Sequence, residues 1–574
     1  MKKPGEYFSL IRSLSKEWKW LFRYVYRYRF QVALYIFIGV ISTAMGLGAN
    51  VASKHLIDSV ISHDRETIVA SALIAISFGF IQLFINAAVS RIASVVGSKI
   101  NNEIRESVYE RIVMSRWEDI SKYHSGDLLN RIEGDVAAVS GSVIAFIPGL
   151  VTKAAQFIGC FAVVMYYDPM MAIFAFMSAP FLIFSSRISA KMMRKFNLES
   201  REMNGKILSF YSESIQNIQI IKAFDLTRRY VEQLKNNLHI YRKINLDHGK
   251  FSIIMTLCMS VIGLLVSYFC YGWGVWRLWQ GAITYGTMTL FLQISGQLTS
   301  SFTSLVGMLP SAISIATAAG RVMEITDLQI EKTENDIISG KIQQSADKDG
   351  IVLDCNDVTY TYPDGEKPVV SNISFTVKPG ETVALVGPSG EGKTTVLRLI
   401  LGLVEPDTGK ISMSTTDGKY IKVSETTRRF CSYVPQGNAV FSGSIADNLR
   451  IVKPEATDEE IIEALKTSDA WKFIEKLPEG INTSINEKGV NFSDGQIQRI
   501  SIARALLRQA PVLVMDEATS ALDADTERTV LANIMQSYPN RTCVITTHRP
   551  SMLKYCNRVY RVTEEGSLMQ LEQE

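Results

Sequence analysis

Long stretches of the first 325 residues carry almost no Asp, Glu, Lys or Arg, and no other feature constrains the chain as strongly. A helix needs about 20 mostly apolar residues to cross the roughly 30 Å hydrocarbon core of a bilayer. The sequence therefore predicts a six-span α-helical membrane domain at 1–325 and excludes a wholly soluble protein. The six runs lie at about 30–53, 67–90, 138–165, 169–186, 251–276 and 284–309.

Basic residues are distributed unevenly between the loops that join these runs. Residues 1–29, 91–135 and 187–250 contain eight, seven and thirteen Lys and Arg, whereas the loops on the other side contain only three. Cytoplasmic loops are enriched in Lys and Arg, so we expect the basic side, with both termini, to be cytoplasmic. Segment 6–29 is basic and aromatic, which favours an amphipathic elbow helix on the anionic inner leaflet.

The two long cytoplasmic segments, 91–135 and 187–250, have helical periodicity and few Pro or Gly. At about 1.5 Å per residue, paired helices of this length extend some 30 Å or more from the membrane. We expect their turns near 125–127 and near 213–225. Such legs can carry force from a cytoplasmic domain, although hairpins that simply pack on each other are the structural alternative.

Charge and cysteine content exclude other classes. The chain has 60 Lys and Arg against 57 Asp and Glu, which argues against a nucleic-acid partner. Its seven cysteines are scattered without a CxxC pair, so neither a zinc site nor a disulfide framework is indicated. Lys153 interrupts the third run and is a candidate substrate contact, with an ion pair to a neighbouring helix as the alternative.

The composition changes near residue 325, where a polar linker at 326–350 leads into a domain of short strands at 351–574. An apolar strand at 382–387 runs into a GxxxxGK[ST] loop that is followed by a helix. Backbone N–H groups of such a loop cradle phosphate oxygens, the lysine neutralises the β- and γ-phosphates, and the first threonine ligates Mg²⁺. The loop predicts ATP binding by Gly387, Ser389, Gly390, Gly392, Lys393, Thr394 and Thr395.

A second apolar strand, 511–515, ends in two acids. An apolar strand that delivers a carboxylate beside a phosphate loop matches the acid that holds Mg²⁺, so we assign this part to Asp516. Glu517 is then placed to polarise an attacking water as general base. Together the two motifs predict an α/β P-loop NTPase domain.

At this point the chain resembles the ABC transporter superfamily, and in particular its exporter-type half-transporters. Residues 432–436 resemble the Q-loop, 491–496 the signature motif, 520–523 the D-loop and 546–548 the switch-histidine motif. The resemblance implies that Gln436 reaches the metal, that His548 joins Glu517 in catalysis and that Tyr362 stacks on adenine. It also relates Glu487 to a loop that senses the membrane domain, 124–132 to a coupling region and Asp168 with Pro169 to a turn between spans.

The resemblance further implies a dimer, because in this family the signature motif of one ATPase domain closes on ATP held by the other. Ser493, Gly495 and Gln496 would contact the ATP of the partner, with the D-loop Asp523 beside them. This chain departs from the usual LSGGQ, since it has Phe492 and Asp494 in the motif. Asp494 is either a favourable helix N-terminal acid or a charge that impairs the site, and the latter leaves a heterodimer open beside the favoured homodimer.

The resulting expectation is an ATP hydrolase that uses ATP and Mg²⁺ to export a lipophilic, peptide or lipid-like substrate by alternating access. The alternatives are import of a metal chelate on the same fold and an ATP-gated channel or regulator. We expect a multi-pass protein of the plasma membrane, with a bacterial inner membrane favoured.

Overall fold

The computed structural model describes residues 15–170, 173, 192, 195–196, 199–200, 202–331, 342, 350–363, 365–388, 390–437, 439–486, 489 and 491–571. The chain divides into two compact units. The first consists of Met1–Val113 and Tyr123–Leu328, and the second of Met114–Lys122 and Gln329–Glu574. The short segment 114–122 thus groups with the second half of the chain.

The described parts of the chain up to residue 326 consist of helices joined by short turns. The helices with both bounds described are α1 Ser15–Arg27, α2 Arg29–Ser62, α3 Arg65–Met114, α4 Trp117–Ile120, α5 Ser125–Asn130, α6 Val136–Tyr167, α7 Ile218–Ala223, α8 Thr227–Trp279 and α9 Tyr285–Thr326, with a π-helical turn at Arg131–Asp135. Residues 202–216 are helical as well. Within the first unit α6 packs against α9 and α2, and α8 packs against α9. The buried cluster there includes Ile100, Ile104 and Val108 of α3 and Val322 of α9.

Four helical stretches are long and apolar enough to cross a membrane: Arg29–Ser62, Arg65–Met114, Ser125–Tyr167 and Thr227–Trp279. They coincide with the first, second, third and fifth of the six predicted runs, and the count of six spans stays a prediction. The fourth, 169–186, falls almost entirely outside the described residues. The sixth predicted run lies within the 42-residue helix α9, which is not one of these four stretches.

The expected elbow helix is described from Ser15 onward, where α1 runs to Arg27. It buries Trp20, Leu21 and Val25 against the first unit. The expected turn near 213–225 contains the short helix α7 and a left-handed Asp225, with φ of 51°. Residues 6–14 and most of the linker 326–350 lie outside the described residues.

The expected turn at 125–127 is wrong, because these residues already begin helix α5. The break lies at 115–124, between the end of α3 and the start of α5 at Ser125. Ser, Gly and Asp in sequence are common in turns, but Ser and Asp are equally common in the first turn of a helix, and here Asp127 lies in the first turn of α5. The tip of this leg is therefore the segment around α4.

Two ion-pair clusters join helices of the first unit at one end. Asp58 of α2 accepts hydrogen bonds from Lys54 Nζ at 3.1 Å, Thr284 Oγ1 at 2.8 Å and the Gly286 backbone N–H at 2.8 Å. Asp168, which ends α6, accepts from Arg277 Nε of α8 at 3.1 Å. The predicted turn at Asp168 is confirmed, because the helix stops at Tyr167 and Asp168 is extended.

The second unit contains a mixed six-stranded sheet, a four-stranded antiparallel sheet and a small two-stranded sheet. The strand order of the six-stranded sheet is β12-β11-β3-β10-β9-β6, in which only β12 is antiparallel to its neighbour. The order of the four-stranded sheet is β2-β1-β4-β5, and β7 pairs with β8 in the small sheet. The strands are β1 Val352–Tyr360, β2 Val370–Val377, β3 Thr382–Val386, β4 Thr408–Ser414, β5 Tyr420–Lys422, β6 Cys431–Val434, β7 Gly443–Ser444, β8 Ser484–Ile485, β9 Val512–Asp516, β10 Thr542–Thr546, β11 Arg558–Val562 and β12 Leu568–Leu571.

Helices of the second unit pack against the six-stranded sheet or, for α11, α12 and α13, against α14, and the α/β fold predicted for this half is confirmed. They are α10 Lys393–Ile400, α11 Ile445–Arg450, α12 Asp458–Thr467, α13 Trp471–Ile474, α14 Asp494–Leu507, α15 Ala524–Ser537 and α16 Pro550–Leu553. Every residue of β9 and of β10 is buried, as expected for parallel strands covered on both faces. Ligands of open parallel sheets bind beyond the carboxyl ends of the strands.

Candidate nucleotide site

The phosphate-binding loop connects β3 to α10 in the strand–loop–helix order that the sequence predicts. Gly390 and Gly392 have φ values of 94° and 92°, a region that glycine adopts without strain. A Cβ atom on Gly392 would lie 2.7 Å from the carbonyl oxygen of Val369, so no larger residue fits there. Ser389, another predicted ATP-binding residue, lies outside the described residues.

Lys393 opens α10 and is 5% exposed. Its Nζ donates to the carbonyl oxygens of Gly387 at 2.7 Å and Pro388 at 2.6 Å. Burial lowers the pKa of Lys393, and the nearby carboxylates of Glu517, Glu391 and Asp516 partly oppose that shift. The ammonium group therefore lies within its own loop, from which the side chain can reorient towards a bound anion.

Asp516 ends β9 and is almost fully buried. Its Oδ1 lies 3.3 Å from the Thr394 hydroxyl and accepts a hydrogen bond from the Thr546 hydroxyl at 2.7 Å. Because β9 and β10 are adjacent parallel strands, their carboxyl ends meet beside the start of α10. The predicted pair of Thr394 and Asp516 is thus brought together across 122 residues of sequence.

Glu517 follows directly and has a left-handed φ of 46°, which is rare for a residue with a side chain. Its carboxylate accepts a hydrogen bond from Gln436 Nε2 at 2.8 Å and lies 2.6 Å from His548 Nε2. Its backbone N–H donates to the Thr546 hydroxyl at 2.9 Å. Three residues that the sequence connected only by resemblance therefore form one cluster at the ends of β6, β9 and β10.

Tyr362 follows β1 and lies against the helix that carries the phosphate loop. Its hydroxyl lies 3.2 Å from the Thr395 hydroxyl and accepts a hydrogen bond from Arg398 at 2.8 Å. Its ring meets that of Tyr360 edge-on, with centroids 5.0 Å apart. The phenol end of the side chain is thus held from two sides.

The signature motif forms the start of α14, where Ser493 is the N-cap. Ser493 and Gln496 hydrogen-bond to each other's backbone N–H groups in a capping box. Asp494 is the first helical residue, the position where an acidic side chain is favoured by the helix dipole. A Cβ on Gly495 would lie 2.9 Å from the backbone oxygen of Ala521, so the motif abuts the segment that resembles the D-loop.

The D-loop segment is held by the same helix. Gln498 donates to the Ser520 hydroxyl at 3.0 Å and accepts from the Ala521 N–H at 3.0 Å. Asp523 caps α15 by accepting from the Thr526 N–H at 2.9 Å, and these hydrogen bonds lower its pKa. Glu487, which the resemblance singled out, lies outside the described residues.

Sequence reasoning missed several residues of this site. Thr546 links Asp516 to Glu517, and its position two residues before His548 is a signal that could have found it. Gln498 and Arg398 have no motif of their own, and only the folded chain shows their contacts. Among the described residues, no group of three or more His, Cys, Asp or Glu side chains is arranged to hold a metal.

Two family models match this chain. The model of the ABC transporter transmembrane region matches residues 32–302, and the ABC transporter model matches residues 370–520. The second match contains the phosphate loop, the signature motif and Glu517. Similarity therefore extends over both halves of the chain, in the order predicted from the motifs.

Curated relatives and a solved structure agree with these matches. An ATP-dependent lipid A-core flippase of Desulfotalea psychrophila is 31% identical over 501 residues, which cover 83% of this chain and 84% of the relative. A Staphylococcus aureus protein, named as a candidate multidrug export ATP-binding/permease protein, is 26% identical over 93% of both chains. A structure of a bacterial Atm1-family ABC exporter with ATP bound superposes with a TM-score of 0.82 over 94% of both chains, at 21% identity.

Proposed function

Because the chain belongs to the ABC transporter family, we propose that it is an exporter that uses ATP hydrolysis to move a lipid-like or lipophilic substrate across a membrane. One observation carries the proposal: Glu517 lies between Gln436 and His548, at 2.8 and 2.6 Å, beside the paired Thr394 and Asp516. A structural ion pair alone would not require a strained backbone at Glu517. The four apolar helical stretches supply the membrane part.

The phosphate loop binds the triphosphate in this proposal. Its N–H groups and the Lys393 ammonium replace the hydration of the β- and γ-phosphates. Lys393 now donates to two loop carbonyls, and a phosphate would offer it a stronger, charged acceptor. Tyr362 supplies a ring for the adenine, since aromatic faces stack on bases.

The donor set beside the loop fits Mg²⁺. The oxygens of Thr394 and Asp516 lie 3.3 Å apart, and Gln436 can add its amide oxygen. A small number of protein oxygen ligands is typical of Mg²⁺ sites, because the ion keeps several water ligands and takes the others from phosphate oxygens. Bound there, the ion would neutralise charge on the phosphate oxygens.

Glu517 acts as general base and His548 holds it. The carboxylate accepts the proton of the attacking water, and the contacts from Gln436 and His548 fix its direction. The backbone bond from Glu517 to Thr546 keeps the carboxylate at the strand end. Both neighbours therefore position the base and take no part in bond formation.

Turnover requires a dimer in this proposal. Ser493, Gly495 and Gln496 begin α14 and would add the N-terminal end of that helix to the γ-phosphate held by the partner. The Ser493 hydroxyl can keep its capping hydrogen bond as an acceptor and donate its own proton to a phosphate oxygen. We favour a homodimer, because Glu517 and His548 are both present; pairing with a second half-transporter is the alternative.

The names of the relatives support the proposed substrate class, and the distribution of charge supports the proposed orientation in the membrane. The relatives are named for a lipid and for multidrug export, which favours a lipid-like or lipophilic cargo over a metal chelate and transport over a channel. We place the domain boundaries near 325 and 351. The basic loops favour a cytoplasmic position for both termini, and the bacterial source of the relatives favours a bacterial membrane. Neither a nucleic acid nor a soluble partner is required.

The test is the ATPase rate of the purified chain in lipid nanodiscs, together with particle mass and movement of a fluorescent lipid in proteoliposomes. A two-copy particle whose ATP-dependent lipid movement disappears in Glu517→Gln supports the proposal. ATP hydrolysis without lipid movement would support the ATPase assignment but refute the proposal of a lipid-like cargo. A one-copy particle with full turnover would refute the dimer.

A further inference from the structure

The second unit contains a contact chain that leads from the base-stacking tyrosine to the segment around α4. Arg398 is its centre. The arginine lies three residues after Thr395 on α10, so both side chains lie on one face of the helix. From that face Arg398 donates to the Tyr362 hydroxyl at 2.8 Å, and Thr395 lies 3.2 Å from the same hydroxyl.

The other face of the Arg398 guanidinium is covered by an indole. The Trp117 ring centroid of α4 lies 4.5 Å from the Arg398 guanidinium carbon, well within the range of a cation–π contact. Trp117 also packs against the core cluster that contains Tyr360, Val396 and Leu397. Arg398 therefore fills the space between Trp117 and Tyr362, and a shift of the indole changes the support of the tyrosine.

A second contact also connects α4 to the tyrosines beside the nucleotide site. The hydroxyl of Tyr360, a buried residue, donates to the carboxylate of Glu118, the neighbour of Trp117. The Tyr360 ring packs edge-on against the Tyr362 ring. Burial raises the pKa of Tyr360, and the Glu118 carboxylate raises it further, so the phenol stays a donor. Of two adjacent residues of α4, Glu118 thus contacts Tyr360 directly and Trp117 contacts Arg398, and both partners support Tyr362.

Backbone bonds fix where α4 lies within the second unit. The Arg116 N–H donates to Gln329 at 3.3 Å, and the Glu331 N–H donates to Met114 at 2.9 Å. Glu331 in turn accepts two hydrogen bonds from Arg428, at 2.7 and 2.8 Å. The segment 114–122 is therefore pinned at its start, and Trp117 and Glu118 have a defined position from which to act.

We propose that Arg398 is a positioning residue for the nucleotide base: it holds the Tyr362 ring and makes its placement depend on Trp117. This rests on the proposed function, in which Tyr362 stacks on adenine. The coupling is reciprocal: the free energy by which the position of Trp117 changes the affinity for the nucleotide base equals the free energy by which the bound base changes the preferred position of Trp117. The base, in addition to the phosphates, then reports nucleotide occupancy to the tip of the α3 leg.

The test compares a ligand that has a base with one that has none. Binding of ATP and of inorganic tripolyphosphate, both with Mg²⁺, is measured by competition on the full chain in nanodiscs. We expect Arg398→Gln to weaken ATP about tenfold, the order of a lost charge-assisted hydrogen bond, and to leave tripolyphosphate within about twofold. Tripolyphosphate binding also shows that each variant is folded.

Three further variants separate positioning from general damage. Arg398→Lys keeps the charge and should recover part of the ATP affinity, whereas Arg561→Gln, the same change at an exposed strand position, should alter neither ligand. Trp117→Leu should weaken ATP about threefold, a typical cation–π contribution at a partly exposed site. In the double variant, Trp117→Leu should weaken ATP binding little beyond the effect of Arg398→Gln alone, because the two residues act through one contact.

Two results would overturn the proposal. Equal weakening of ATP and tripolyphosphate would show that Arg398 supports the phosphate loop and not the base, and additive losses from Trp117 and Arg398 would show that they act independently. Lys393→Ala serves as the reference for the nucleotide site itself. If that variant retained both ligands, the proposed function would fail whatever Arg398 does.

Discussion

Replacing Glu517 by Gln changes one oxygen of the site and little of its shape. The carboxylate now accepts from Gln436 Nε2 at 2.8 Å and lies 2.6 Å from His548 Nε2. A carboxamide can keep both contacts: its oxygen still accepts from Gln436, and its NH₂ donates to the lone pair of a neutral imidazole. ATP binding should therefore persist, because the phosphate loop and the pair of Thr394 and Asp516 are untouched.

The carboxamide cannot accept a proton from water, so the loss should fall on the chemical step alone. General base catalysis contributes about 10²–10⁴-fold to a rate. At about 1.36 kcal/mol for each factor of ten, the barrier should rise by about 3–5 kcal/mol. We expect kcat to fall by that factor while the ATP dissociation constant stays within about threefold.

The assay is phosphate release and equilibrium ATP binding on the chain in nanodiscs. Glu564→Gln, the same change at an exposed position near the last hairpin, is the matched control and should leave both quantities unaltered. A fall of less than tenfold in kcat would refute the general-base assignment. Loss of ATP binding with kcat preserved at saturation would instead place Glu517 in nucleotide recognition.

Three other changes test separate parts of the molecule. Lys393→Ala removes the buried ammonium and should weaken both ATP and tripolyphosphate at least tenfold, measured by competition binding. Asp494→Gly should leave the ATPase rate within about twofold, because the acid begins a helix; a clear rise would show that its charge impairs the site. Asp58→Ala leaves the Gly286 N–H without its acceptor and should reduce the free energy of unfolding by about 1–3 kcal/mol, seen as a lower melting temperature than for Asp247→Ala at an exposed position of α8.

The sequence predicted the parts of the site that depend on local geometry. The phosphate loop is one continuous segment, and its glycines, lysine and threonines follow from how backbone N–H groups surround a phosphate. Asp516 and Glu517 could be placed because an apolar strand of a parallel sheet ends at the ligand edge. The fold class followed from the same two motifs and from the apolar runs.

Contacts between distant segments could not be predicted in this way. Tyr360 and Glu118 are 242 residues apart, and no periodicity or spacing connects them. Arg398 looks like an ordinary polar residue on a helix, because its partners come from α4 and from the loop after β1. The early turn failed for a different reason, since Ser125 and Asp127 suit a helix start as well as a turn.

The ion pairs at the sparsely charged loops bear on orientation. Of the three Lys and Arg there, Lys54 pairs with Asp58 at 3.1 Å and Arg277 pairs with the buried Asp168 at 3.1 Å. Arg277 therefore joins α8 to the end of α6, whereas Lys54 pairs within α2, and both positive charges have a structural cause apart from topology. Arg65, at the start of α3, remains outside these two pairs. Basic residues on the richer side form ion pairs too, for example Arg27 with Glu103 and Arg131 with Asp127. These pairs therefore leave unchanged the asymmetry of Lys and Arg on which the proposed cytoplasmic placement of both termini rests.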